Sequence, residues 1–209
     1  MYKDFPMINI KRELPRGYFG SNCYVIESSG EWAVVDPSID FAVIAKKYPD
    51  ILDGLKYILL THAHFDHICA LGTWPTQKAE VIVGQGDADM LSDPVKNCYL
   101  GFLGVRGGYF GKYTSVSDQD KLPLGDTLIE VIETPGHTPG GVCFKIDDAT
   151  FVGDTIFKDG GYGRCDLPGG DEPALWDSIF KLFSKNMFGK FYPGHGAPDT
   201  FENSIKYFK

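Results

Sequence analysis

Thr61-His62-Ala63-His64-Phe65-Asp66-His67 packs three imidazoles and a carboxylate into six consecutive residues, His62 to His67, directly after the apolar run Tyr57-Ile58-Leu59-Leu60. Packing gives no reason for that density: protonated, the rings would repel one another, and neutral, they would lack apolar contact. An apolar run ending in a polar cluster reads as a buried strand that presents functional groups at its end, where open α/β sheets commonly carry binding and catalytic residues. In His62-Ala63-His64 an extended backbone places both imidazoles on one face, within reach of a common ion at the ~2.0–2.1 Å of a zinc–nitrogen bond. A helix starting here would project Asp66 and His67 from its first turn toward a second ion, with Phe65 packed away from solvent.

The chain has five histidines, and the other two, His137 and His195, sit in the turns Pro135-Gly136-His137-Thr138-Pro139-Gly140 and Pro193-Gly194-His195-Gly196. Gly/Pro turns bend the backbone sharply and can aim a side chain into a cleft. Two divalent ions held ~3.5–4 Å apart need a negative group between them. Asp154, which follows Phe151-Val152-Gly153 where another strand runs into a glycine turn, is the best candidate for that carboxylate. Structural zinc favours four closed ligands, often with cysteine, whereas this set leaves positions open, so a non-catalytic metal-binding module ranks behind an enzyme.

Outward from these turns, apolar runs at 31–37, 80–83, 127–133, 142–146, 150–152 and 190–192 read as strands, several of them leading into a candidate ligand turn. Helical patterns occupy 40–48, 173–184, with Leu175, Ile179, Leu182 and Phe183 on one stripe, and 201–208. No repeat, low-complexity tract or linker interrupts them, so 1–209 is read as one α/β domain. Residues 84–122 show no clear period and are read as a lid or insertion. Its aromatics Tyr99, Phe102, Tyr109, Phe110 and Tyr113 could wall an apolar acyl pocket, form a homodimer contact or fill core.

A hydrophobic fraction of 43% is that of a folded globular chain, and a formal charge of −8 speaks against nucleic acid or an anionic membrane as main partner. The start, Met1 to Pro6, has charges and a proline where a secretory signal would need an apolar run, and no stretch approaches ~18 apolar residues, so a cytoplasmic protein is expected. Cys23, Cys69, Cys98, Cys143 and Cys165 are odd in number and widely spaced, as reduced intracellular thiols would be, and no disulfide is expected.

Seven segments together carry a resemblance: Ser21-Asn22-Cys23-Tyr24-Val25-Ile26, Val35-Asp36-Pro37, Thr61 to His67, Gly136-His137-Thr138-Pro139-Gly140, Gly153-Asp154-Thr155-Ile156-Phe157, Gly163-Arg164-Cys165-Asp166-Leu167-Pro168-Gly169-Gly170 and Pro193-Gly194-His195-Gly196. In this order they resemble the metallo-β-lactamase superfamily, most closely its glyoxalase II-like branch of small hydrolases. The resemblance implies an αββα sandwich, two mixed sheets flanked by helices with metals at one edge. It implies that His62, His64 and His137 hold one ion, that Asp66, His67 and His195 hold the other, and that Asp154 bridges them. Zinc is the first choice of metal, with iron or manganese accepted by the same ligand types.

A hydroxide shared by two such ions is available at neutral pH and the ions can polarise a carbonyl, which makes hydrolysis of a thioester or related ester the expected reaction, with lactones behind it. Asp66 could in addition orient the hydroxide or shuttle its proton. Glyoxalase II enzymes usually add a C-terminal domain that binds glutathione, and this chain ends shortly after His195, so that mode of recognition is not expected. β-Lactamases lack the bridging aspartate and the family's nucleases carry further domains, which ranks both lower. The alternative is a persulfide dioxygenase on the same fold, with a single iron on His62, His137 and Asp154.

Arg164 and Lys158 lie on the glycine-rich loop after Asp154 and could bind a substrate carboxylate, or form a solvated loop paired to Asp166 or Asp159. Cys165 is read as a small buried thiol or a reactive one.

Overall fold

A computed structural model describes residues 8–15, 20–184 and 188–208. In chain order the strands are β1 (Asn9–Glu13), β2 (Cys23–Ser28), β3 (Glu31–Val35), β4 (Leu55–Leu60), β5 (Glu80–Gly84), β6 (Thr114–Val116), β7 (Lys121–Leu124), β8 (Thr127–Glu133), β9 (Val142–Ile146), β10 (Ala149–Gly153), β11 (Lys190–Pro193) and β12 (Asp199–Thr200). The helices are α1 (Phe41–Lys47), α2 (Ile51–Gly54), α3 (Phe65–Ile68), α4 (Tyr99–Leu103), α5 (Glu172–Ser184) and α6 (Phe201–Ser204).

β1 to β6 form one sheet in sequence order, and β7 to β12 form the other in the reverse listing β12-β11-β10-β9-β8-β7. Both are mixed: β3, β4, β5 and β6 pair in parallel after an antiparallel start, and β10 with β11 is the parallel pair of the second sheet.

Side chains alternate across each strand, so every central strand serves two cores. Tyr57 and Leu59 of β4 face the second sheet with Tyr24, Ile26, Val131, Phe144 and Phe151, while Ile58 and Leu60 face Ile44, Ile51, Leu71 and Trp74 on the other side. The outer face of the second sheet, through Ile132, Cys143 and Val152, receives Leu175, Ile179 and Leu182 of α5. The result is helix, sheet, sheet, helix, the expected αββα sandwich. Burial on both faces explains why Leu55–Leu60 reads as a nearly unbroken apolar run.

Several elements differ from the sequence reading. The closing helix over 201–208 is α6 followed by a tighter 3-10 turn, Ile205–Tyr207. β1 was not foreseen, because an edge strand written Asn-Ile-Lys-Arg-Glu buries too little to show a period. Residues 84–122 hold more regular structure than their pattern suggests: a 3-10 helix (Gln85–Met90), α4, and the strands β6 and β7 that end both sheets. The leading residues 1–6 lie outside the described residues. The five cysteines are free thiols, and no described helix is long and apolar enough to cross a membrane.

Candidate metal centre

β3 and β4 run parallel, as do β10 and β11, so Asp36, the His62 to His67 segment, Asp154 and His195 all emerge from the same ends of their strands. His137 follows β8 on the same edge. At Gly153 the chain takes a left-handed turn (φ 50°), and a Cβ there would lie 2.5 Å from Thr61 Oγ1. That turn swings Asp154 into the gap between the sheets, and α3 begins immediately after His64.

The seven residues expected to hold ions come together. Ligand atoms of His62, His64 and His137 lie within 4.8 Å of one another, as do those of Asp66, His67 and His195, and those of His62, His67 and Asp154. Asp154 spans the groups: its Oδ1 is 3.4 Å from His67 Nε2, and its Oδ2 is 3.6 Å from His137 Nε2 and 3.5 Å from His195 Nε2. Asp66 Oδ2 is 3.0 Å from His195 Nε2.

Hydrogen bonds behind the histidines set which ring nitrogen faces this gap. Thr61 Oγ1 donates to Asp36 Oδ2 (2.8 Å), so its lone pair takes the hydrogen of His62 Nδ1 at 3.2 Å. His67 Nδ1 donates to Asp36 Oδ2 (2.8 Å) and His137 Nδ1 to the Arg164 carbonyl (2.7 Å). In each case the outer nitrogen is held by a hydrogen bond and Nε2 faces the gap, the arrangement that metal-ligating histidines show. His62 Nε2, His67 Nε2 and Asp154 Oδ1 are buried without a hydrogen-bond partner among the described residues, as is His64 Nε2. Buried polar atoms are ordinarily satisfied. Four orphans on residues that converge on one space fit divalent cations, and imidazole with carboxylate is a donor set suited to zinc or iron.

The two halves differ in charge. Burial, reinforced by neighbouring histidines, drives His62 far below its ordinary range and His64 down to about 3, so these rings are neutral. For His67 burial works against protonation, but Asp36, Asp154 and Asp66 outweigh it and raise the pKa well above 6.5. His195 is raised too, burial being overcome by Asp66 and Asp154. Burial would raise both carboxyls, yet the surrounding imidazoles hold Asp66 and Asp154 below the usual carboxylate range. A metal ion must therefore displace protons at His67 and His195. Zinc affinity is expected to rise as pH increases through 6.5 and beyond, with proton release on loading. Calorimetric titration in buffers of different ionisation enthalpy measures that release, and a count of zero would contradict it.

A cleft of about 440 Å³ opens onto these ligands, walled by Phe65, Cys98 and Phe102 on one side and by Phe157, Tyr162 and Leu167. Phe65 is buried as expected and stacks on Phe102 (centroids 5.3 Å, 26°). Arg164 reaches the cleft, but its guanidinium forms a two-bond fork with Asp166 (2.6 Å each), and its main-chain carbonyl orients His137. Lys158 stands on the 3-10 turn Lys158–Gly160 outside the cleft wall, where its charge acts on Asp199. Cys165 is half-buried and burial raises its thiol pKa, so nothing activates it as a thiolate. A larger hollow of about 890 Å³ beside α1, lined by Ser38, Lys46 and Cys69 among others, contains none of the seven ligands.

Residues that brace the ligand loops escaped the sequence reading as functional. Asn22 Nδ2 donates to the carbonyls of Pro193 (2.8 Å) and Gly196 (2.9 Å) around His195, and Arg12 Nε donates to Asn22 Oδ1 (2.9 Å). The motif Ser21 to Ile26 flagged Asn22 only as part of a pattern. Asp87, inside the stretch without a period, gave no signal.

The family model of the metallo-beta-lactamase superfamily matches residues 16–195, and the chain belongs to that superfamily. It is 30% identical over 198 residues to a probable polyketide biosynthesis zinc-dependent hydrolase, PksB of Bacillus subtilis (strain 168), covering 88% of this chain and 80% of the relative. Among solved structures it is similar to BLEG-1, described as a B3 metallo-beta-lactamase (TM-score 0.85, 28% identity, 95% of this chain and 97% of the other). It is also similar to TTHA1623 in a di-iron-bound form (TM-score 0.77, 26% identity, 97% and 98% covered). With the histidine and aspartate cluster, these relationships make the protein a metal-dependent hydrolase.

Proposed function

We propose that this protein hydrolyses thioesters with apolar acyl groups, with one divalent ion on His62, His64 and His137, another on Asp66, His67 and His195, and Asp154 between them. The observation that carries the reading is Asp154, whose Oδ1 faces His67 and whose Oδ2 lies between His137 and His195, so that one carboxylate reaches both groups. Zinc is the first metal in view of the zinc-dependent relative, and the di-iron form of TTHA1623 supports two ions with iron as the second choice. When bound, such ions lower the pKa of water from 15.7 toward ~7 and polarise a carbonyl oxygen.

The protein supplies the rest. Asp66 reaches the cleft with its carboxylate ionised and takes the proton released as water attacks the acyl carbon. Asp154 is held ionised and donates no proton to the leaving group. A thiol, with a pKa of ~8.5, leaves as thiolate far more readily than an alkoxide or an amide anion, and this favours a thioester. Phe65, Phe102, Phe157 and Leu167 receive the acyl chain and exclude water from it.

The test is thiol release from a series of S-acyl substrates by the zinc-loaded protein, with kcat/KM expected to rise with acyl length. Phe102→Ala removes an aromatic wall that is half exposed, and about 1.4 kcal/mol of lost apolar contact gives a roughly tenfold fall in kcat/KM for long acyl groups, carried by KM. Equal loss on acetyl and long-chain substrates would contradict the acyl-wall role. A lactam is the second substrate class because BLEG-1 is described as a β-lactamase. Faster hydrolysis of a lactam than of any thioester would replace the reading.

A further inference from the structure

Asp87 is fully buried in the 3-10 helix after β5, yet no charged group among the described residues donates to it. Its Oδ2 accepts from the Ala63 amide (2.9 Å) and from Thr138 Oγ1 (2.8 Å), and its Oδ1 accepts from the Gly140 amide (2.6 Å). Ala63 stands between His62 and His64, and Thr138 directly follows His137. One carboxylate therefore clamps together the two loops that supply a single group of three histidines. Across that clamp His64 Nδ1 and His137 Nε2 lie 2.9 Å apart.

A buried carboxylate is expensive unless several donors satisfy it, and three neutral donors to two oxygens fix both its position and theirs. Asp36 plays the matching part in the other half, accepting from the Thr61 amide and hydroxyl and from His67 Nδ1 (2.8 Å each). The difference is that Asp36 accepts from a histidine ring of the cluster directly, whereas the donors to Asp87 are two main-chain amides and Thr138.

We propose that Asp87 is a positioning residue that sets the spacing of the His62, His64 and His137 pocket and thereby its affinity for a metal ion. The inference rests on the reading that these three histidines hold an ion. Asp87→Asn keeps the size of the side chain and one acceptor oxygen, but turns an NH2 toward at least one of the three donors.

The experiment is equilibrium dialysis of the full chain against zinc(II), with visible absorption of the cobalt(II)-loaded protein as a report on ligand geometry. For Asp87→Asn we expect one ion to bind 10–100-fold more weakly than in the parent while the other is retained, with a changed cobalt spectrum. Thr138→Val, nearly isosteric and missing a single donor, gives a smaller loss of the same ion and keeps the test open if Asp87→Asn does not fold. Asp36→Asn is the contrasting variant: it loosens His67 directly and His62 through Thr61, and is expected to weaken both ions.

Parental zinc affinities and an unchanged cobalt spectrum in Asp87→Asn, or in Thr138→Val should the first fail to fold, would overturn the proposal even if melting temperature falls, since that pattern marks a structural role alone. In that case the two-ion reading stands as long as the parent binds two ions. A parent that binds no divalent ion would end both.

Discussion

Asp154→Asn is expected to lower kcat/KM for thioester hydrolysis by about 10³-fold and to release one ion. The substitution is isosteric, so the left-handed turn at Gly153 and the packing of β10 stay in place. What changes is charge. The carboxylate lies within 3.4–3.6 Å of nitrogens from His67, His137 and His195. An amide there carries no negative charge to offset two cations and turns an NH2 toward one group. Stabilisation of transition-state charge by bound metal amounts to several kcal/mol, and at 1.36 kcal/mol per factor of ten this sets the scale of the loss. Metal analysis and steady-state kinetics on the same sample check it, with circular dichroism to confirm the fold. Retention of full activity with a complete metal complement would remove Asp154 from its bridging role.

Gly194→Ala is expected to empty the site by steric means alone. A Cβ on Gly194 would overlap Asp154 Oδ1 and lie 2.5 Å from His67 Cε1. The main chain has no room to withdraw: the Gly194 amide donates to the Gly153 carbonyl (2.7 Å) and its own carbonyl accepts from the Asn22 amide (2.7 Å). The methyl group therefore displaces the ligands. We expect loss of bound metal and at least a 100-fold fall in activity. Overpacking of this kind costs about 1–3 kcal/mol, which at this chain length lowers Tm by roughly 2–4 °C per kcal/mol. A Gly194→Ala protein with parental metal content and Tm would show that the cradle is looser than the structure has it.

The candidate ligand cluster was legible because coordination chemistry limits residue type and spacing so tightly. Two imidazoles one residue apart on an extended backbone, and two more in glycine turns, have few other physical explanations. The strands were legible where burial on one or both faces imposed a pattern, as in Leu55–Leu60 and Thr127–Glu133. The sandwich itself came from family resemblance and the order of its strands only from the folded chain, since periodicity says nothing about which strand pairs with which. The edge strands Asn9–Glu13 and Asp199–Thr200 left no period, because one is polar and the other two residues long. Residues 84–122 were opaque because their short elements are held by tertiary contacts. Asp87 shows the difficulty most clearly: an isolated aspartate in a Gln-Gly-Asp-Ala-Asp run reads as a solvated turn, and only the folded chain brings Ala63, Thr138 and Gly140 around it.

The decisive measurement is titration of the chelator-stripped protein with zinc(II), following thiol release from a long-chain S-acyl substrate after each addition. Thiol release should rise to a plateau at two equivalents per chain. A plateau at one equivalent would contradict the two-ion centre, and no thiol release with zinc but oxygen consumption with a persulfide once iron(II) is supplied would contradict the hydrolase and favour a single iron on His62, His137 and Asp154.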